Sequence, residues 1–522
     1  MADLTGAPHR DTWRGRDAIH WLWLLLGVTL AGRLLLGATV GLGIDEAYTV
    51  STAKTFELST FDHPPLAWWL AGLGRMFGAD SAVLVRLPFI VLFALTTWLA
   101  FIAGRDLFGA RAGLFAAITL NLAPVIGWTT GTFVVPDGPL MAAMLGALVC
   151  VSRALFRSER EAPLWWLATG VAAGLACLSK LHGIFLFAGV GLFILTTPAH
   201  RHWITRPWPY LAVAVSALMF TPVIVWNLQH EWISFAFQAG RARVARFAFG
   251  NGFAALGGQA LFIAPWVWIA MAISLWRAWR SGVADSRAWL LLCLGIGPIA
   301  VFTGLAFTGS KTLFHWAAPG YLFLALLVGR DLDRDIASGR AAAERWLFGS
   351  IAAIGVILLA VVGLSRMGWP PMAALSRVPY PLEETVSWRG VREAIISRGL
   401  ARDVQFVAAV RWHEAGRIDL ALNGLLPVRC LCEDPRGFGV LHDNRRLAGQ
   451  SGLLISQNLP LEGAQAQYGP LFERITPLEP IVILQGGRPL QTLAVYRVEG
   501  LRLTDAEPAQ RRLIPLAARA GR

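Results

Sequence analysis

Residues 21–40 read WLWLLLGVTLAGRLLLGATV, and residues 44–66 read IDEAYTVSTAKTFELSTFDHPPL. The first run is long and apolar enough to cross a bilayer. The second gathers Asp45, Glu46, Lys54, Glu57, Asp62 and His63 into a short polar interlude before the next apolar segment. Placing a carboxylate at the centre of the hydrocarbon costs roughly 2.5–3.5 kcal/mol on insertion scales, so the interlude belongs at or outside a membrane surface. The apolar run is too long for the core of a secretory signal and lacks a small-residue cleavage site, so it is expected to remain as a first helix.

The same alternation continues along the chain. Of 522 residues, 55% are hydrophobic, 15% are charged and 23 are Trp, the composition of a polytopic membrane protein. Apolar windows of spanning length lie at about 20–41, 83–103, 112–131, 138–154, 163–179, 183–198, 209–227, 260–277, 288–307, 315–329 and 346–365, predicting a mainly α bundle of about 11 helices, within a range of about 10 to 13. The net charge of +13 is distributed among short loops and is not gathered on one soluble face, which argues against nucleic acid as a partner. With Arg10, Arg14 and Arg16 on the cytoplasmic side, alternate connections carry Arg105 and Arg111; Arg153, Arg157 and Arg160; Arg201 and Arg206; Arg277, Arg280 and Arg287; and Arg330, Arg334, Arg340 and Arg345. That pattern follows the positive-inside rule, and an odd helix count then puts everything after Arg366 on the outer face.

Cations that violate this bias need another reason for their position. They are Lys54, Arg75, Lys180, Arg241, Arg243, Arg246 and Lys311, and His63, His182, His230 and His315 fall in the same connections. With Asp45, Glu46, Asp62 and Asp137 they are expected to form one polar surface at the outer end of the bundle. Beyond Trp369, Pro370, Pro371 and Pro379 mark a linker. The β-type runs 404–410, 452–455, 481–485 and 493–498, with a helical stretch at 383–398, predict a small α/β domain. The expected division is 1–18, a cytoplasmic segment; 19–366, the membrane bundle; 367–506, the outer-face domain; and 507–522, a basic tail. Of five Cys, Cys150, Cys177 and Cys293 lie in apolar segments. Cys430 and Cys432 lie in soluble sequence, but a single intervening residue makes their ring strained, so no role is expected of them.

Asp45-Glu46-Ala47-Tyr48 followed by Phe61-Asp62-His63-Pro64-Pro65-Leu66 resembles the first outer loop of the GT-C glycosyltransferases of the protein O-mannosyltransferase and lipid A aminoarabinose transferase type, the bacterial members of glycosyltransferase family 39. Further matching stretches are Val135 to Leu140, Leu178-Ser179-Lys180, Trp226 to His230 and His315 to Pro319. The resemblance implies a bundle of GT-C type whose first outer loop carries surface helices. It also implies transfer of a sugar, with inversion, from a polyprenyl-phosphate carrier to a lipid, glycan or protein acceptor at the outer face of a bacterial inner membrane. No cofactor is required under it, and a divalent cation is left open. The other readings of so many helices are a transporter or flippase of a lipid-linked substrate, or a binding protein on the same scaffold; intramembrane acids and an inverted repeat would accompany the transporter.

Inversion by direct displacement needs a base for the acceptor's proton and cations for the departing phosphate. The resemblance places Asp45 as base and Glu46 as its supporting carboxylate, against the plainer reading of Asp45 as the cap of a short helix over 46–56. Asp62 and His63 are placed at the donor phosphate or an acceptor, directly or through a metal, against a solvated turn before two prolines. Lys180 either binds phosphate or snorkels to the interface; Arg241 and Arg243, with Arg246, either clamp phosphate or touch lipid headgroups. Asp137 is a second site carboxylate or a helix cap, and His230, Lys311 and His315 are further candidates without metal-ligand spacing. Arg33, inside the first helix, is expected to pair within the bundle.

Overall fold

A computed structural model describes residues 16–241, 247–310, 312–367, 383–442, 444–485 and 487–502. Helix α1 (Arg16–Thr39) leads into the short α2 (Ile44–Thr52), then α3 (Leu66–Gly78) and the long α4 (Ala82–Phe108). Among the described residues seven helices are long and apolar enough to cross a membrane, or up to ten if each of three bent pairs counts as one span. The upper figure meets the lower edge of the range read from the sequence, and a count of eleven is not reached among the described residues. Prolines account for part of the difference. Pro124, Pro198 and Pro265 each open the second limb of a bent pair, at 84°, 117° and 108°, because proline lacks the N–H that would continue the preceding helix. The window at 315–329 becomes Ala318–Ala337, whose last turns carry Arg330, Asp331, Asp333, Arg334 and Asp335. The chain is a multi-pass membrane protein.

The two ends of the bundle differ in how charge is held. At one end the loop arginines meet carboxylates: Arg153 with Asp106 at 2.8 Å, Arg330 with Asp285 at 3.0 Å, and Arg277 with Asp335 at 3.2 Å. The other end carries α2 and the loop to α3. It is anchored by Arg86 on α4, fully buried, whose guanidinium meets Glu46 at 2.8 and 2.5 Å. Arg86 also donates to the carbonyls of Gly37, Val40 and Gly41, the unsatisfied end of α1. Glu46 in turn accepts from the backbone N–H of Gly43 and of Val134, each at 2.9 Å. Inside the bundle Arg33 pairs as expected, with Asn121 at 2.6 Å and the Gly127 carbonyl, which lies in a π-helical turn.

Beyond residue 383 lies a five-stranded mixed sheet in the order β2-β1-β3-β5-β4, with β1 Phe406–Ala409, β2 Val428–Cys430, β3 Gly452–Ser456, β4 Phe472–Gln485 and β5 Arg488–Leu501. β1 runs parallel to β2 and β3, while β5 is antiparallel to β3 and β4. Three of the four strand candidates fall within these strands, and the fourth, 404–410, contains the shorter β1. Contrary to expectation Cys430 and Cys432 are joined by a disulfide; their Cα atoms are 5.5 Å apart, an ordinary bridging distance. The helix Trp412–Leu422 lies directly on α2, and Gly416 permits the approach: a Cβ there would be 2.7 Å from the Tyr48 nitrogen. The proposed tail 507–522 lies outside the described residues.

Removing one member of a buried ion pair leaves the other charge uncompensated, which costs about 3–5 kcal/mol. Arg86→Leu is therefore expected to lower the unfolding free energy in detergent by about that amount. Glu46→Gln should cost less, since an amide oxygen still accepts from Val134. Denaturation followed by tryptophan fluorescence checks both, and an Arg86→Leu protein of unaltered stability would refute the anchoring role.

Candidate active site

The turn from α2 to α3 is closed on itself before its two prolines: Thr60 Oγ1 donates to the His63 carbonyl at 2.7 Å. Helix Ile233–Arg241 rests on this turn, with Ser234 donating to the Thr60 carbonyl at 3.3 Å, Gln238 donating to the Asp62 carbonyl, and Phe237 4.8 Å from Phe61. These contacts bring Arg241 over α2. The result is a cavity of about 520 Å³ lined by Asp45, Asp62, His63, Asp137, Lys180, Arg241 and His315, among others.

Eight residues singled out in the sequence, His182 among them, from five connections, thus meet in one place, but their surroundings differ. Asp45 opens toward the cavity and makes no hydrogen bond or ion pair to another described residue. It lies in the first turn of α2, whose cap is Gly43, so the capping role read for it does not hold. The protein around it withdraws water from the carboxylate and raises its pKa, an effect the Arg436 charge opposes. Glu46, its neighbour, points away and spends its oxygens on Arg86, Gly43 and Val134. Its place is an anchor under α2.

Asp62 is buried and accepts from the Tyr48 hydroxyl at 3.2 Å. Burial pushes its pKa up to about 6, against the nearby Arg436 charge. His63 is held neutral: burial, then the Lys180 ammonium, brings its pKa down to about 3. Its imidazole therefore offers one N–H and no charge to a ligand. Lys180 does not snorkel to an interface; it forms a buried ion pair with Asp137 at 2.9 and 3.0 Å.

Other candidates lie elsewhere. Lys54 meets Asp419 of the C-terminal segment at 2.7 Å, and Arg75 donates to the Val50 carbonyl at 3.0 Å, so both contrary cations have structural partners. His230 stacks on Trp226, 4.0 Å between ring centres, and lines a small neighbouring pocket. Arg243, Arg246 and Lys311 lie outside the described residues. Among the described residues no group of three or more His, Cys, Asp or Glu is disposed to hold a metal ion, so the allowance for a divalent cation gains no support.

Sequence reading missed Tyr48, Trp412 and Arg436, all of which line the cavity. Tyr48 stood inside the quoted motif and was available to it. Trp412 and Arg436 come from the C-terminal segment, more than 340 residues from α2, and carry no local signal of their own.

Residues 62–226 match the family described as Dolichyl-phosphate-mannose-protein mannosyltransferase. The crystal structure of ArnT from Cupriavidus metallidurans bound to undecaprenyl phosphate superposes with a TM-score of 0.65, at 19% identity, covering 92% of this chain and 98% of that one. The chain has the GT-C fold of that structure. Among curated relatives, a lipid A galacturonosyltransferase of Rhizobium johnstonii is 24% identical over 317 residues, 58% of this chain and 63% of that protein. An undecaprenyl phosphate-alpha-4-amino-4-deoxy-L-arabinose arabinosyl transferase of Erwinia tasmaniensis is 23% identical over 456 residues, 81% of this chain and 78% of that protein. Within this GT-C chain the family match begins at Asp62 and ends at Trp226, so it takes in His63, Asp137 and Lys180 but not Asp45, Arg241 or His315.

Because Asp62 holds its proton more tightly folded than unfolded, its contribution to stability is present below the ordinary carboxylate pKa and is lost as pH rises through about 6. Asp62→Asn is expected to gain on the unaltered chain by roughly 2–3 kcal/mol near pH 8, with the two curves converging below about pH 4. Thermal melts across that range measure it; a constant difference at all pH values would remove the assignment.

Proposed function

We propose that this chain is an inverting glycosyltransferase that moves a monosaccharide from a polyprenyl-phosphate carrier to an acceptor hydroxyl on the outer face of a bacterial inner membrane. The observation that carries the reading is a cavity in which one carboxylate, Asp45, without a partner among the described residues, faces cations. The names of the relatives point the same way: they are a lipid A galacturonosyltransferase and undecaprenyl-phosphate aminoarabinose transferases, and the ArnT structure holds undecaprenyl phosphate. A lipid A-type acceptor follows from them as part of the proposal.

In this reading the acceptor oxygen attacks the anomeric carbon while Asp45 takes its proton. The bond from that carbon to the phosphate oxygen breaks on the opposite face, and the electron pair leaves with the phosphate. Asp45 suits the base because no described residue competes for it and its pKa is raised toward a working value. Arg241 faces the developing phosphate charge, and neutral His63 and the Lys180–Asp137 pair shape the wall. The N-terminus is then cytoplasmic, and the divisions near residues 18, 366 and 506 belong to the same proposal.

Asp45→Asn should lower transfer of labelled sugar by about 10²–10⁴-fold while leaving binding of the donor intact. The rate should fall as acid protonates Asp45, with the acid limb displaced above the ordinary carboxylate pKa. Undiminished transfer by Asp45→Asn would dismiss Asp45 as base.

A further inference from the structure

Among the described residues three cations line the cavity, and their partners set them apart. Lys180 is neutralised by Asp137. Arg241 lies over the Trp316 ring at 4.8 Å and the Phe237 ring at 5.4 Å, and forms no ion pair with a described carboxylate. Arg436 comes from the far side of the chain, from the turn that follows the Cys430–Cys432 bridge. Its guanidinium lies 3.7 Å over Trp412 and 5.9 Å from the same Phe237 ring. Its acidic neighbours, Asp434 at 3.5 Å and Asp62 at 3.6 Å, stand beyond the 2.7–2.9 Å typical of a close charge-assisted bond. Two guanidiniums therefore approach one aromatic ring from opposite parts of the sequence, within one partly buried cavity. Like charges held together out of water repel, and an anion between them removes the cost.

The backbone at Arg436 points the same way. Its φ of 45° and ψ of −132° lie where glycine is the ordinary occupant. The next residue is Gly437, whose N–H donates to the Tyr48 hydroxyl at 2.9 Å, and that hydroxyl donates to Asp62. The turn is thus pinned to α2 with a long cationic side chain kept at its most constrained position. Such an outlier is retained where the surrounding structure holds it for a purpose other than stability.

We propose that Arg436 and Arg241 form a clamp for the phosphate of the polyprenyl-phosphate donor, so that the C-terminal segment supplies one of the groups holding the leaving phosphate. This rests on the glycosyltransferase reading above. When the sugar's anomeric carbon–oxygen bond breaks, the phosphate gains a second negative charge, and two planar guanidiniums are suited to receive it. The Trp412 face orients one of them and limits its rotamers.

The test uses the full chain in nanodiscs, with undecaprenyl phosphate and undecaprenol as probes. The unaltered chain should prefer the phosphate. Arg436→Ala and Arg436→Gly should each weaken binding of undecaprenyl phosphate at least tenfold and leave binding of undecaprenol unchanged, with partial recovery in Arg436→Lys. Arg436→Gly, freed of the backbone constraint, should melt no lower than the unaltered chain, a result that a merely structural arginine would not give. Phosphate binding unchanged in folded Arg436→Gly would overturn the clamp while leaving the transferase reading standing. Donor binding unchanged together with a raised KM for a phosphorylated acceptor would assign the site to the acceptor and overturn the donor clamp. No preference for the phosphate in the unaltered chain would overturn both readings.

Discussion

The buried pair between Glu46 and Arg86 is the constraint on which the site depends. Arg86 closes three carbonyls at the end of α1, and Glu46 holds two backbone N–H groups, one at the start of α2 and one at Val134. Three stretches distant in sequence, residues 37–46, Arg86 and Val134, therefore share one hydrogen-bonded knot. Both charges are desolvated, so each is tolerable only while the other is in place. That mutual requirement sets the position of α2, and Asp45 lies on its first turn. Val134 lies three residues before Asp137, so the same knot sets the approach of the second carboxylate.

Around this knot the cavity sorts its ionisable groups by pairing. Asp137 and Lys180 neutralise each other, His63 is neutral, and Asp62 is tied to Tyr48. Among the described residues neither Asp45 nor Arg241 has an ion-pair partner. A carboxylate and a cation without partners among the described residues, in one cavity, are the groups with capacity to act on a ligand. Neutral or paired neighbours give shape and dielectric without adding competing charge.

The C-terminal segment is more than a cover. Lys54 to Asp419, Gly437 to Tyr48, and the close approach of Gly416 to α2 join it to the loop that carries Asp45. A rigid junction of this kind transmits the placement of Trp412 and Arg436 to the cavity wall. It also gives Lys54 its partner, Asp419, in another part of the protein.

Much was legible in the residues alone. Apolar length, charge-poor windows and the run from Asp45 to Leu66 determined a membrane bundle with a polar loop, because burying charge in hydrocarbon is costly whatever the fold. The paired motifs determined the GT-C type, and the β-type runs marked strands of the later sheet. The tertiary structure alone decided which charges are partners. Glu46 and Asp45 are adjacent in sequence, yet one is an anchor and the other faces the cavity, since neighbouring helical positions point in different directions. Lys180 and Asp137 lie 43 residues apart and annul each other. Arg436 enters a site nearly 400 residues behind it. Composition and spacing carry the cost of burying a charge, but only packing determines what lies within 4 Å of it.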